Sequence, residues 1–156
     1  MELRLLLADS AESGQSGKVS ALGLGWKLTS SPTGPMAIVV IIDLEPEEAA
    51  KEHSIVLRLV RAATSEAVTV GPNPEASRPL AFGGTFKAGP DHDTPSDLPT
   101  RATIPVMIGA GLPLEPGLYR WDVDVDEHHE PEWSETFFVR PASDHEDPRG
   151  GAVPSA

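Results

Sequence analysis

The sequence has no cysteine, which removes disulfides, thiolate metal sites and cysteine nucleophiles together and makes the reducing cytoplasm the default location. It also has no long hydrophobic run. The longest, Met36 to Ile42, is far short of the roughly 20 residues that span a bilayer. The apolar start around Leu5, Leu6 and Leu7 is preceded by Glu2 and closed by Asp9. A secretory leader needs a longer apolar region behind a basic start, so this segment reads as a first strand. Bases are scarce: 12 against 24 acids leave a formal charge of -12. Such a surface repels phosphate backbones and anionic lipid heads, which argues against nucleic acid and membrane as partners and for a soluble protein.

What is abundant is punctuation. Sixteen prolines and fourteen glycines are spread between short apolar runs, the arrangement of many strands joined by turns. Leu3, Leu5 and Leu7 alternate; the turn-rich stretch from Asp9 to Gly17 and the glycine-broken run from Lys18 to Thr29 follow, which together predict an opening hairpin. Met36 to Leu44 is β-branched and apolar at successive positions, as a central strand covered on both faces is. Pro46 to Glu52 carries the one helical signal, with proline suited to a first turn and acids near the positive end of the dipole.

The period of two returns in Ile55, Leu57 and Leu59, in Leu80, Phe82, Gly84 and Phe86, and in Ala102, Ile104, Val106 and Ile108. Ala67 to Val70 is a further short strand before the breaker Gly71-Pro72-Asn73-Pro74. Pro105 places its run at a sheet edge or a bulge. Tyr119, Trp121, Val123 and Val125 alternate with Arg120, Asp122, Asp124 and Asp126, so one face enters the core and the other meets water. The partner of this strand runs from Trp133 to Val139, across a loop from Glu127 to Glu132. Leu114-Glu115-Pro116-Gly117-Leu118-Tyr119 matches the corner in which a tyrosine near a strand start bonds back to upstream backbone.

These elements predict an all-β protein: an antiparallel β-sandwich of the immunoglobulin-like kind with one short connecting helix, one domain over residues 1–140. The acidic tail, 141–156, has almost no apolar content and is expected to be disordered. The stretches Leu5 to Ser10, Lys18 to Trp26 and Pro116 to Trp121 resemble a family of short actinobacterial proteins of unknown function, over roughly Met1 to Arg140. The resemblance implies a compact β-sandwich with no assigned activity, ligand or active-site motif, so it carries over no functional residue.

The residues offer few constellations for chemistry. Ser13-Gly14-Gln15-Ser16-Gly17-Lys18 invites a phosphate-loop reading but fails it. Glu12 stands at the first glycine position, Val19 replaces the metal-binding hydroxyl, and a strand follows where a helix is required. No serine sits in a nucleophile elbow. Asp91-His92-Asp93 and His145-Glu146-Asp147 fall in loop and tail segments that do not hold a catalytic group in place. The dense polar cluster is Asp122 to Glu132, where Asp124, Asp126, His128 and His129 are the candidate metal ligands. Aspartates two apart on a strand are spaced by about 6 to 7 Å, too far for all to reach one ion, and the calcium-loop glycine is missing. Trp26, Trp121 and Trp133 each lie in a strand pattern, where a core role is usual.

No catalytic residue, cofactor or metal is therefore assigned. The leading expectation is a non-enzymatic interaction module with a protein partner or self-association through a sheet face or edge. The first alternative is a metal-binding protein or metal-dependent enzyme built on Asp124, Asp126, His128 and His129. The second is a small-ligand or carbohydrate-binding sandwich that uses an exposed tryptophan.

Overall fold

Short alternating runs become strands because one face of each can be buried while the backbone pairs with neighbours. In the computed structural model, which describes residues 1–89, 93 and 95–142, the chain begins with Glu2–Ala8 (β1), Ser10–Ser13 (β2), Val19–Leu22 (β3) and Leu28–Thr29 (β4). It continues through Met36–Leu44 (β5), the helix Pro46–Ala49 (α1), His53–Arg61 (β6), Thr69–Val70 (β7), Arg78–Pro79 (β8) and Ala81–Phe86 (β9). Thr100–Ile108 (β10), Gly117–Val125 (β11) and Ser134–Val139 (β12) complete it.

Two sheets face each other. One has the order β1-β5-β10, antiparallel throughout; the other has the order β4-β12-β11-β6-β9, antiparallel except that β4 lies parallel to β12. The architecture is an all-β sandwich. Its core joins Leu3, Leu5 and Leu7 of β1 and Ile38, Val40 and Ile42 of β5 to Leu57 and Leu59 of β6, Trp121 and Val123 of β11, and Phe137 of β12. Each such aliphatic side chain, fully buried, contributes about 1.5–3 kcal/mol relative to exposure.

The unbroken apolar run of β5 is explained by a second layer. Its inward residues enter the main core, while Ala37 and Val39 on the opposite face pack with Ala8 and Ala11 beneath the β2–β3 hairpin. The opening hairpin therefore differs from the sequence expectation. β1 pairs with β5, not with the segment from Lys18 to Thr29, because the alternating leucines reach the core only from within the three-stranded sheet. The hairpin forms one segment later, with Gly17 in the left-handed region at φ 71° in its turn.

β10 is an edge strand of its sheet, where Pro105 removes no bond from an interior ladder. α1 stops at Ala49, short of Glu52; Pro46 starts it, the Glu45 amide donates to the Glu48 carboxylate at 3.1 Å, and the Glu48 amide donates to the Glu45 carbonyl at 2.9 Å. Among the described residues no helix is long and apolar enough to cross a membrane. Tyr119 Oη donates to the Glu115 carbonyl at 2.9 Å, which closes the expected corner at the start of β11. The tail expected to be disordered lies, from residue 143 on, outside the described residues, as do Asp91, His92 and the segment His145-Glu146-Asp147.

Candidate functional site

The polar face of β11 is not the freely solvated surface its alternation suggests. Arg120 lies along its own strand and grips Asp122 with two nitrogens, at 2.6 and 2.9 Å, leaving that residue 8% exposed. Arg58 of β6 pairs with Asp124. His129 Nδ1 donates to the Val123 carbonyl at 2.8 Å and lies 3.5 Å from Asp124 Oδ1. Long arginine stems laid flat across a sheet cover the carboxylates beneath them. Asp122 and Asp124 are thus committed to arginines.

Asp126 leaves the series altogether. β11 ends at Val125, and Asp126 and Glu127 form a tight turn with φ 51° and 63°, after which His128 pairs back to Val125. Two successive positive φ angles define the turn that best matches strand twist. They rotate Asp126 toward β6, where Oδ2 accepts from His53 Nδ1 at 2.7 Å and Oδ1 accepts from the Ser54 amide at 2.9 Å. His53 Nε2 meets the Glu48 carbonyl at 2.8 Å, and the ring stacks on Phe86 with centroids 5.3 Å apart.

The electrostatics follow from these contacts. Burial pushes the His53 pKa down, but the bonds to Asp126 and to the Glu48 carbonyl push it up further, and the balance lies above its ordinary 6.5. The same bond to His53, with the Ser54 amide, holds Asp126 below its ordinary 3.8. Ser54 and His53 bind different oxygens of Asp126. With both ring nitrogens engaged, His53 is not placed to take a proton from Ser54 as a general base.

Of the four candidate metal ligands, only Asp124 and His129 come together. Asp126 is taken by His53, and His128 sits edge-on to Trp133 with Nε2 3.2 Å from Glu130. Among the described residues no group of three His, Asp or Glu side chains is arranged to hold an ion. Strand spacing and the turn disperse the ligands that looked adjacent in sequence. His53 and Ser54, more than 70 positions away, escaped the sequence reading; the signal was a histidine in register with Ile55, Leu57 and Leu59 on the buried face of one strand.

Elsewhere on the same outer face three apolar side chains line up across strands. Leu28 of β4 is opposite Phe138 of β12, and Phe138 is opposite Leu118 of β11. They are 49%, 37% and 55% exposed, in that order. The carboxylates that β11 presents on this face are each paired with a base, Asp122 with Arg120 and Asp124 with Arg58.

Residues 3–137 match a family of unknown function, DUF6941. The chain belongs to this family. No curated protein and no solved structure matches it. The DUF6941 span takes in all of β1 but Glu2, β2 through β11 and most of β12, so Leu28 and Leu118 lie inside it and Phe138 falls one residue beyond.

The tryptophans of the DUF6941 domain do not form a ligand platform. Trp121 and Trp133 are buried, and Trp26 is half-buried with its ring edge-on to Phe137. A cleft of about 520 Å³ at the Tyr119 end is lined by Arg61, Thr69, Ser77, Leu112 and Glu115 among others, with no tryptophan. A narrower slot of about 180 Å³ opens between β9 and β10, lined by Phe82, Phe86, Ile104 and Val106. The tryptophan-based ligand reading loses its exposed ring.

Proposed function

We propose that the protein is a non-enzymatic interaction module that pairs with a second copy of itself through the outer face of its five-stranded sheet. The observation that carries this reading is the cross-strand row Leu28, Phe138 and Leu118, three large apolar side chains at one register level facing water. Aligned apolar exposure of this kind has an unfavourable contact with solvent that a matching row relieves. The surrounding ion pairs support the choice of a second copy. A chain carrying -12 repels its like, and the repulsion is least where acids and bases are already paired.

Size sets the strength. Five strands about 4.8 Å apart and about six residues long make a face on the order of 500 Å². That is below the roughly 800 Å² per partner of standard stable complexes, so the dimer is a weak one, with a dissociation constant on the order of micromolar or higher. The non-enzymatic part of the reading rests on the commitment of His53 to two acceptors and of Asp122, Asp124 and Asp126 to cations or amides. Cytoplasmic placement goes with it, from the cysteine-free composition.

The actinobacterial origin implied by the resemblance rests on that resemblance alone; the immunoglobulin-like character belongs to the same proposal. Its support is topological: a three-stranded sheet facing a sheet extended by a short parallel strand, and a tyrosine corner on the strand that follows the crossing between sheets. Trp121, two residues after that tyrosine and fully buried, fills the place where antibody domains put their second bridging cysteine.

Sedimentation equilibrium tests the reading. The chain is expected to show a monomer–dimer equilibrium near 100 μM that strengthens with added salt, as long-range repulsion is screened. Phe138→Glu is expected to leave a monomer with unchanged thermal stability. A wild-type chain that stays monomeric at millimolar concentration and high salt overturns it.

A further inference from the structure

We infer that His53 is kept as a buried imidazolium whose second proton pins together α1, the start of β6 and the β11–β12 turn. This is a device independent of the dimer face: Leu118 and the turn at Asp126 stand at opposite ends of β11, about 25 Å apart at strand rise.

His53 is 4% exposed. Its Nδ1 lies 2.7 Å from a carboxylate oxygen and its Nε2 lies 2.8 Å from a carbonyl oxygen. Both partners are acceptors: the Glu48 carbonyl by its nature, and Asp126 as a carboxylate, the form that its bonds to His53 and to the Ser54 amide favour. A neutral imidazole has a single N–H and leaves one of these contacts as two facing lone pairs; only the doubly protonated ring satisfies both.

The groups that face the ring are few. From the turn comes Asp126. From α1 comes Glu48, whose carboxylate also receives the Glu45 amide at 3.1 Å and lies 3.2 Å from the Met1 ammonium beside β1. From β9 comes Phe86, which adds a stacking surface and no charge. The turn needs such an anchor, since Asp126 and Glu127 both hold the left-handed conformation that side chains disfavour.

The pH window follows from the directions given above. The His53 pKa is raised on folding, so its stabilisation is complete below about 6.5 and is lost as pH rises through the folded value. The Asp126 pKa is lowered, so its stabilisation is present above 3.8 and is lost as pH falls through the folded value. The pin is closed between these limits and opens on the alkaline side by losing one proton from the ring.

Two measurements on the full chain test this. Long-range proton–nitrogen NMR on histidine-labelled protein, with His53→Gln identifying the signal, is expected to show both ring nitrogens protonated at pH 6 and a titration above 6.5. Amide exchange, corrected for its intrinsic rise with pH, is expected to accelerate severalfold across the same step in residues 46–49 and 126–128 together. Asp126→Asn tolerates the turn geometry and removes the charge, so it is expected to shift both the titration and the exchange step to lower pH. The step is expected to persist when His128 and His129 are changed to Gln. A ring that titrates at or below its ordinary value, helix and turn that do not loosen in concert, or an unshifted step in Asp126→Asn overturns the inference.

Discussion

The two sheets share one core and cover their outer faces to different extents. The three-stranded sheet is lidded in part by its own chain: the β2–β3 hairpin folds over Ala37 and Val39, leaving Val39 4% exposed, while Met107 of β10, opposite Ala37, stays 48% exposed. The five-stranded sheet has ion pairs over part of its outer face and the exposed row of Leu28, Phe138 and Leu118 over another part. A sandwich needs only its inner faces buried, so covering an outer face takes extra chain. Where the chain supplies that cover, apolar residues become core; where it does not, they become surface, and the same residue type carries a different meaning.

Matched aspartate substitutions break this comparison most directly. Val39→Asp is expected to destabilise the fold by about 3 kcal/mol or more, because it places an unpaired carboxylate between the sheet and the hairpin. Chemical denaturation measures it. A small effect there shows that the lid is open in solution and that the two faces are alike.

Tyr119→Phe probes the layer that both sheets share. Removing the hydroxyl leaves the Glu115 carbonyl without that donor and is expected to cost about 1 kcal/mol. The ring packing against Phe137 is retained, at 5.8 Å between centroids. An unchanged melting temperature means that the corner is filled by water equally well.

Leu118→Asp is the counterpart of Val39→Asp and the smallest expected effect on stability, within about 0.5 kcal/mol, since the side chain is already in water. The dimer is expected to be lost all the same. Destabilisation comparable to that of Val39→Asp means the row is covered within the monomer, and the contrast between the two faces disappears.

The strand pattern was legible because burial on one face imposes a period of two that needs no tertiary knowledge to read. The alternation of Tyr119, Trp121 and Val123, the doubly apolar run of β5, the edge proline and the tyrosine corner all reappear in the structure. The opening hairpin was misassigned because alternation shows that β1 has a buried face without showing which strand lies beside it. The Asp and His cluster misled for a related reason. Proximity along the chain suggested a joint role, whereas the tight turn at Asp126 reverses the direction of that side chain and hands it to His53.

By itself the sequence determined the class of the molecule: period, punctuation and the lack of cysteine, long apolar segments and catalytic spacing allow an acidic β-sandwich and little else. The tertiary structure alone decided which outer face is covered, which histidine is buried against which carboxylate, and which leucines are left in water. Those depend on the pairing of strands distant in the chain, and a local pattern records that a side chain must be buried but not what buries it.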